Sequence, residues 1–219
     1  METSPDCVLL TTAYFPPVEY FILVAAYGRA LIERHENYTK QSYRNRCNIL
    51  SANGLLSLTI PVKRYRGIKT PIIDVKPDNS YNWQKLHRIS IESAYRSAPF
   101  YEFYIDDIMP FLESEYNSLF RLNTDILNKT LEVLDINALC NHTENFTKIP
   151  PAGCADKRDA IHPKRKDPDL MNAIEQLQYT QVFQNRWGFV PGLSILDLLF
   201  NAGPDSGRLL EKAALTIRQ

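Results

Sequence analysis

The fold is decided by residues 7–36, which read CVLLTTAYFPPVEYFILVAAYGRALIERHE. The apolar, β-branched and aromatic run 7–15 predicts a buried strand, and two prolines end it because proline has no N–H to donate to a sheet. The next apolar run, Val18–Tyr27, predicts a helix with Gly28 as its C-cap. Residues 29–36 predict a second strand, so the whole stretch predicts a right-handed parallel βαβ unit.

A β-hairpin is predicted directly after this unit. Residues 43–50 and 55–62 both read as strands, and the Asn53-Gly54 pair between them is typical of a tight hairpin turn. Residues 72–75 predict one more short strand.

Helical periodicity begins at Trp83. Apolar residues recur there every three or four positions, which is typical of amphipathic helices. Asn82 and Ser194 are predicted N-caps, and Pro110 is expected to break the helix that contains it. The predicted helices cover residues 83–98, 104–113, 116–134, 195–200 and 206–215.

The predicted fold class is therefore α/β (α+β), with a βαβ unit and a hairpin in a mixed sheet, followed by a mainly helical C-terminal half. We expect a single domain over residues 1–219. Residues 1–80 are expected to be sheet-rich and basic, 81–149 helical, and 170–219 helical again. Proline and charge are dense in residues 150–169, which predicts a mobile loop that is either a lid over a substrate or a surface insertion.

Positive charge is concentrated in one part of the chain. The formal net charge is zero, but residues 28–70 hold nine Lys and Arg against Glu33 and Glu36, which gives 9 − 2 = +7 there and −7 elsewhere. Such a separation raises the local concentration of anions. We therefore expect an anionic small-molecule partner, either a nucleotide-sugar or a phosphorylated metabolite, and no nucleic acid.

Arg44 and Arg46 are the strongest candidates to bind that anion. Two residues apart on a predicted strand, they would point to the same face about 6.5–7 Å apart. Planar guanidinium groups at this spacing suit phosphate or carboxylate groups, although a solvated face would carry the same pattern.

His35 and Glu36 are the candidate catalytic residues. They stand at the end of the second predicted strand, a usual position for active-site groups in α/β folds. The unperturbed pKa of histidine lies near neutrality, so His35 suits a general base, and a surface histidine without a catalytic task is the alternative.

The remaining candidates for substrate binding are polar or aromatic side chains that can orient a ligand. His87 falls on the apolar stripe of its predicted helix, so a hydrogen-bonded core histidine is the alternative there. The set comprises Tyr14, Tyr38, Lys40, Gln41, Tyr43, Asn45, Lys63, Arg64 and His87.

Several other sites and locations are disfavoured. No Gly-x-Gly-x-x-Gly, Walker or Gly-x-Ser-x-Gly pattern is present, and neither a His-x-x-x-His nor a Cys/His cluster predicts a metal site. The four cysteines form no Cys-x-x-Cys pair, which is typical of incidental thiols. Because no signal-peptide pattern occurs and the longest apolar run is short, we expect a reduced, cytoplasmic protein without membrane insertion.

Several stretches resemble the WbqC-like proteins of bacteria, and together they extend over nearly the whole chain outside residues 150–169. These are TAYFPPVEYF at 12–21, HENYTKQSYRNR at 35–46, NGLLSLTIPV at 53–62, WQKLHR at 83–88, AYRSAPFY at 94–101 and LSILDLLFN at 193–201.

This resemblance implies a role in the biosynthesis of O-antigen or other surface polysaccharides. The implied enzyme is a transferase that adds a glycyl or other aminoacyl group to an activated sugar carrying a diphosphate. Two alternatives stay open: an enzyme that activates a substrate with a nucleotide, and a non-catalytic module that binds a polysaccharide-assembly partner. The sequence identifies neither a cofactor nor the oligomeric state.

Overall fold

The structure is a computed structural model that describes residues 5–63, 69–165, 167–177 and 179–218. The strands are β1 (Cys7–Thr11), β2 (Arg29–Glu33), β3 (Arg46–Ser51), β4 (Gly54–Thr59), β5 (Leu139–His142) and β6 (Cys154–Asp156). The helices are α1 (Val18–Tyr27), α2 (Trp83–Tyr95), α3 (Tyr101–Glu113), α4 (Leu119–Val133), α5 (Pro168–Glu175), α6 (Gln184–Trp187), α7 (Ile195–Ala202) and α8 (Ser206–Ile217). Short 3-10 turns lie at Tyr43–Asn45, Ile72–Asp74 and Gly203–Asp205.

Two separate sheets contain the strands. A parallel sheet has the order β5-β2-β1-β6, with Val8 of β1 opposite Ala30 of β2 and Cys7 opposite Cys154 of β6. β3 and β4 form an antiparallel hairpin. The predicted α/β class, the parallel βαβ unit, the hairpin and the helical C-terminal half are thus confirmed. The hairpin forms a sheet of its own beside the parallel one.

The helix α1 lies in the core and has the predicted bounds. Eight of its ten residues are buried, and it packs against α5, α7 and α8. Gly28 ends it with φ of 68°, and its N–H donates to the Val24 carbonyl. Only glycine adopts this left-handed conformation without strain, which confirms the predicted C-cap.

Two local predictions are wrong. Residues 72–75 form a 3-10 turn at Ile72–Asp74 and no strand, because the Asp74 N–H donates back to the carbonyl of the preceding proline. Pro110 lies inside α3 without breaking it. The hydrogen bond that this proline removes would have used the carbonyl of Asp106, and both residues are exposed, so water can solvate that carbonyl.

The predicted loop at residues 150–169 is wrong in part, because Cys154–Asp156 is the edge strand β6 of the parallel sheet. α5 also begins inside that range, with the Asp167 carboxylate accepting the N–H groups of Asp169 and Leu170. β6 is only three residues long and lacks β-branched residues, so sequence pattern alone gives no signal for it. The mobility of the remainder stays a prediction.

Ser194 caps α7 as predicted, and its oxygen accepts the Leu196 N–H at 3.4 Å. Its hydroxyl is buried, so its loss leaves a helix donor without a partner. We expect Ser194→Ala to lower the free energy of unfolding by about 1 kcal/mol in urea denaturation. Ser93→Ala, on the exposed face of α2, is the control and should cause no loss. A Ser194→Ala value equal to that of the control would contradict the capping role.

Candidate functional site

The carboxyl edge of the parallel sheet contains a topological switch point. The chain places β2 and then β5 on one side of β1, and it later returns to place β6 on the other side. Ligands of open α/β sheets bind in the crevice beyond the strand ends at such a reversal. Just beyond β1, the buried Phe15 has a positive φ of 36°. This conformation is unusual for a bulky residue and recurs at functional sites.

A cavity of about 310 Å³ lies beside this edge, where α1 begins. Its walls come from the first turn of α1, the hairpin, residues 160–174 and residues 190–192. Most of the wall is apolar, which is typical of a small-molecule site with a few orienting polar groups. We call this cavity the Glu19 pocket. Its polar lining comprises Glu19, Tyr43, Asn48, His162, Arg165 and Asp167.

Glu19 contributes a carboxyl group to the pocket wall. The residue is half-buried, but its oxygen Oε2 is shielded from solvent and has no hydrogen-bond partner among the described residues. Gly192, with φ of 76°, passes so close that an added Cβ would lie 3.2 Å from Oε1. Burial raises the pKa of Glu19 to about 7. Near neutral pH this carboxyl can therefore both accept and donate a proton.

Two phenols stand beside Glu19. Burial raises the pKa of both Tyr43 and Tyr179, and the charge of Glu19 raises it further in each case. The Tyr43 hydroxyl accepts a long hydrogen bond of 3.5 Å from Asn48, whose carbonyl oxygen accepts from Ser57 at 2.6 Å. Both hydroxyls thus stay protonated, and that of Tyr43, which lines the pocket, can donate to a ligand.

Asp197 forms a second buried carboxyl group behind Tyr179. It is 1% exposed and accepts hydrogen bonds from the Tyr179 hydroxyl at 2.8 Å and from Gln181 at 2.9 Å. Burial raises its pKa to about 6, although these bonds partly oppose the shift. Gln181 also bonds both backbone groups of Val190, which fixes the pocket wall at residues 190–192.

Arg46 is an unpaired cation next to the pocket. It stands two residues before Asn48 on β3, and alternate residues of a strand share a face. The side chain is half-buried, its Nε is shielded from solvent, and it forms no hydrogen bond or ion pair within the part of the chain that the structure describes. Its positive charge lowers the pKa of Tyr38 and of Tyr43 against the larger effect of burial. An anionic ligand group would supply the missing partner.

Arg44 is paired, unlike Arg46. Its Nε and Nη2 donate to the two carboxylate oxygens of Glu36 at 2.8 and 2.6 Å, and the side chains are 12% and 11% exposed. Arg44 lies in the 3-10 turn Tyr43–Asn45, so the prediction that it shares a strand face with Arg46 is wrong. The nearly buried Glu36 carboxylate, eight residues earlier, binds the Arg44 guanidinium, and the spacing of Arg44 and Arg46 alone could not show this contact.

Glu33 is the centre of a second hydrogen-bond and ion-pair network at the end of β2. It is fully buried and accepts the His35 N–H, the Thr143 hydroxyl and the Thr147 N–H at 2.8 to 2.9 Å. Arg158 lies 3.8 Å away and pairs with Asp156 at 2.6 Å. These hydrogen bonds and ion pairs fix the loops that follow β2 and β6.

The predicted catalytic residues His35 and Glu36 each have a different arginine as their partner. Glu36 is occupied by Arg44, and burial raises its pKa despite that partner. His35 is half-buried, and its Nε2 accepts a hydrogen bond from Arg34 at 3.1 Å. Neither lines the Glu19 pocket.

Four further predicted residues lie around the segment 38–46. Lys40 and Gln41 are exposed, and Gln41 accepts a hydrogen bond from Lys164 at 2.7 Å. Tyr38 is half-buried near the charges of Arg44 and Arg46. The Asn45 amide donates to the Ile60 carbonyl at 2.7 Å and so joins the turn to the end of the hairpin.

The last four predicted residues lie apart from the pocket or outside the described residues. The Tyr14 hydroxyl bonds Nδ1 of His87 at 2.9 Å, and both side chains are buried in the core beside Trp83. Burial lowers the pKa of His87 to about 4, so the ring is neutral and suits a core position. Lys63 is exposed, and Arg64 falls among residues 64–68, outside the described part of the chain.

Sequence reasoning missed Glu19, Asp197 and His162. A signal existed for the first two, because each is the only acidic residue in a largely apolar helix, VEYFILVAAY and ILDLLFNA. A lone carboxylate in a buried helix either needs a partner or carries a function. His162 lies in the range predicted as a loop, and only the fold brings it to the pocket, where burial and the charges of Arg165 and Arg44 lower its pKa.

The parallel sheet with its switch point and the adjoining pocket define an α/β protein with a candidate small-molecule site at its carboxyl edge. The chain belongs to the WbqC-like protein family, whose model matches residues 12–159 and 157–209. This confirms the resemblance seen in the sequence.

The chain is similar to an uncharacterised protein of Mycobacterium tuberculosis, with 25% identity over 222 residues that cover 90% of this chain and 94% of the relative. No solved structure matches the chain. Across the described ranges, no helix combines the length and the apolar character that crossing a membrane requires.

Proposed function

We propose that this protein is a transferase that adds a glycyl or other aminoacyl group to the amine of an activated sugar, in the biosynthesis of a bacterial surface polysaccharide. The observation that carries the proposal is a shielded carboxylate oxygen of Glu19 in the pocket wall that has no hydrogen-bond partner among the described residues. Arg46, two residues before the pocket residue Asn48 on β3, is likewise unpaired within those residues. The first group suits proton transfer and the second suits the diphosphate of the substrate.

Glu19 is the proposed general base. Its pKa of about 7 makes a large ionised fraction available at neutral pH while keeping appreciable basicity. The sugar amine attacks the carbonyl carbon of the activated aminoacyl donor, the leaving group departs with the electron pair of the broken bond, and Glu19 accepts the proton lost by the amine. We prefer Glu19 to Glu36 because Arg44 occupies both oxygens of Glu36.

Arg46 is the proposed anion-binding residue. A half-buried guanidinium without a partner lowers the stability of the fold, because its donors have lost water without gaining a hydrogen bond. A phosphate group would supply charge-assisted hydrogen bonds to those donors. The volume of about 310 Å³ is near the lower end of the usual range for ligand sites, roughly 300–1,000 Å³. The pocket therefore suits the reacting sugar end of the substrate, with the diphosphate directed towards Arg46 and the exposed Lys40. A cytoplasmic location and the absence of nucleic-acid binding stay predictions.

Calorimetric titration with a UDP-activated amino sugar tests the proposal. Wild-type protein should bind it, and Arg46→Met should weaken binding about tenfold or more because one charge-assisted contact is lost. Glu19→Gln should retain binding and lose aminoacyl transfer. Arg96→Met, exposed at the residue that follows α2, is the matched control for removing one arginine and should bind like the wild type.

Three results would decide against the proposal. Equal affinity in wild type and Arg46→Met would place the anion elsewhere. Binding without transfer from any activated glycyl donor would favour the non-catalytic binding module. Exchange of pyrophosphate into ATP that depends on an amino acid would favour the nucleotide-dependent activating enzyme.

A further inference from the structure

Two thiols face each other at the edge of the parallel sheet. Cys7 begins β1, Cys154 begins β6, and the two residues are direct partners in the parallel register. Their sulfur atoms lie 2.7 Å apart, and both cysteines are free. Neighbouring strands are about 4.7–4.9 Å apart, within the range of about 4.4–6.8 Å that a disulfide requires between Cα atoms. A bond between them therefore requires little backbone movement.

The surroundings of the pair give the two sulfurs different roles. Cys7 is half-buried, whereas Cys154 is buried, so an oxidant in solution reaches Cys7 first. Burial, together with the hydrogen bond and the charge of Cys7, raises the pKa of Cys154 to about 12. Burial and the raised pKa make Cys154 a poor first nucleophile, so it serves as the resolving partner after Cys7 has formed a mixed disulfide.

We propose that Cys7 and Cys154 form a redox modification site that takes a disulfide oxidant such as oxidised glutathione. In the first step Cys7 loses its proton and its thiolate attacks one sulfur of the oxidant; the S–S bond of the oxidant breaks, which gives a mixed disulfide and a glutathione thiolate that takes up the Cys7 proton. In the second step Cys154 loses its proton and its thiolate attacks the Cys7 sulfur; the mixed disulfide breaks and releases a second glutathione, which takes up the Cys154 proton. Both cysteines are oxidised, and the oxidant gains the two electrons.

The bond would fasten the segment that forms one wall of the Glu19 pocket. Among the described residues, β6 is an edge strand that pairs with β1 alone, through three residues. The chain continues from β6 through a hydrogen bond of 3.0 Å from the Lys157 N–H to the Leu9 carbonyl and then reaches the pocket wall at residues 160–174. Covalent attachment at Cys154 fixes the start of this segment. The inference does not depend on the proposed function.

Peptide mapping under non-reducing conditions tests this site on the whole protein. Trypsin places the four cysteines in four different peptides, namely residues 1–29, 47–63, 130–148 and 149–157. After incubation with oxidised glutathione, we expect the peptide 1–29 linked to 149–157 as the main product, and dithiothreitol should separate them again. The linked product should form to the same extent in Cys140→Ser, whose cysteine is half-buried on β5, and should be absent in Cys7→Ser.

A second measurement reports the effect on the fold. The cross-link closes a long loop, so the oxidised wild type should melt about 4–16 °C above the reduced protein, while the melting temperature of Cys7→Ser should not respond to the oxidant. The proposal is overturned if the wild type retains free thiols, accumulates only glutathione adducts, or links Cys7 or Cys154 to another cysteine. Each of these outcomes is read on the wild type, so none depends on whether a variant folds.

Discussion

Arg44→Met is expected to destabilise the protein by about 3–5 kcal/mol in urea or guanidinium denaturation. The change removes both hydrogen bonds to Glu36 and leaves its carboxylate nearly buried without a counter-charge. The Arg44 carbonyl also accepts from Asn123 of α4 at 2.8 Å, but this backbone bond is independent of the side chain. The loss in the free energy of unfolding therefore measures the effect of leaving the Glu36 carboxylate without a counter-charge.

The double variant Arg44→Met with Glu36→Leu gives the internal control. Removing both charges together should restore most of the stability, because an apolar pair of similar volume needs no counter-charge. Arg121→Met is the matched exposed control: it breaks an ion pair with Asp125 whose arginine side chain is 78% exposed, and the loss should stay below about 1 kcal/mol. A double variant no more stable than Arg44→Met alone would contradict this account.

Glu19→Gln is expected to change how stability depends on pH. Folding raises the pKa of Glu19 from 4.5 to about 7, so the folded state holds the proton more tightly than the unfolded chain. The stabilising contribution is complete below about pH 4.5 and is lost as the pH rises through about 7. A shift of this size corresponds to roughly 3 kcal/mol. The wild type should lose about that much relative to Glu19→Gln between acid and mildly alkaline pH.

Urea denaturation of both proteins across this pH range measures the difference directly. The other titrating groups, including Asp197, are present in both proteins, so their contributions largely cancel in the comparison. Glu175→Gln, an exposed acid on α5, is the control and should follow the wild-type curve at every pH. Parallel curves for the wild type and Glu19→Gln would show that Glu19 titrates as an ordinary solvated carboxyl, and its proposed role as a base would lose its support.

Local patterns determined the early elements because their signals lie within a few residues. The helix Val18–Tyr27 is apolar throughout, ends at a glycine with positive φ, and has the predicted bounds. The Asn53-Gly54 signal marked the hairpin for the same local reason, although Ser51 pairs with Gly54 and the turn itself holds Ala52 and Asn53. The sequence did not predict β6, because its pairing partner β1 is distant in the chain. It did not predict the 3-10 turn at Tyr43–Asn45 either, because the contact of Arg44 with Glu36 follows no periodic pattern.

The candidate site could be predicted only in part. The sequence indicated a basic segment and named Tyr43 and Arg46 as binding residues. In the structure Tyr43 lines the Glu19 pocket, and Arg46 is close enough for its charge to lower the pKa of Tyr43 against the larger effect of burial. It also named Arg44 and Glu36 as free groups, whereas each has the other as its partner. Charge counting shows how many cations a segment holds, but it cannot show which of them remain unpaired.

The sequence by itself determined the class of fold, the family and the sign of the charge around residues 28–70, since composition and short-range periodicity carry these properties. Only the tertiary structure decided which groups are reactive. Burial among the hairpin, residues 160–174 and residues 190–192 raises the pKa of Glu19 to about 7. Glu36 pairs with Arg44, whereas Arg46 forms no ion pair with any described residue. Desolvation and pairing depend on neighbours in space, and those neighbours come from parts of the chain that no local pattern connects.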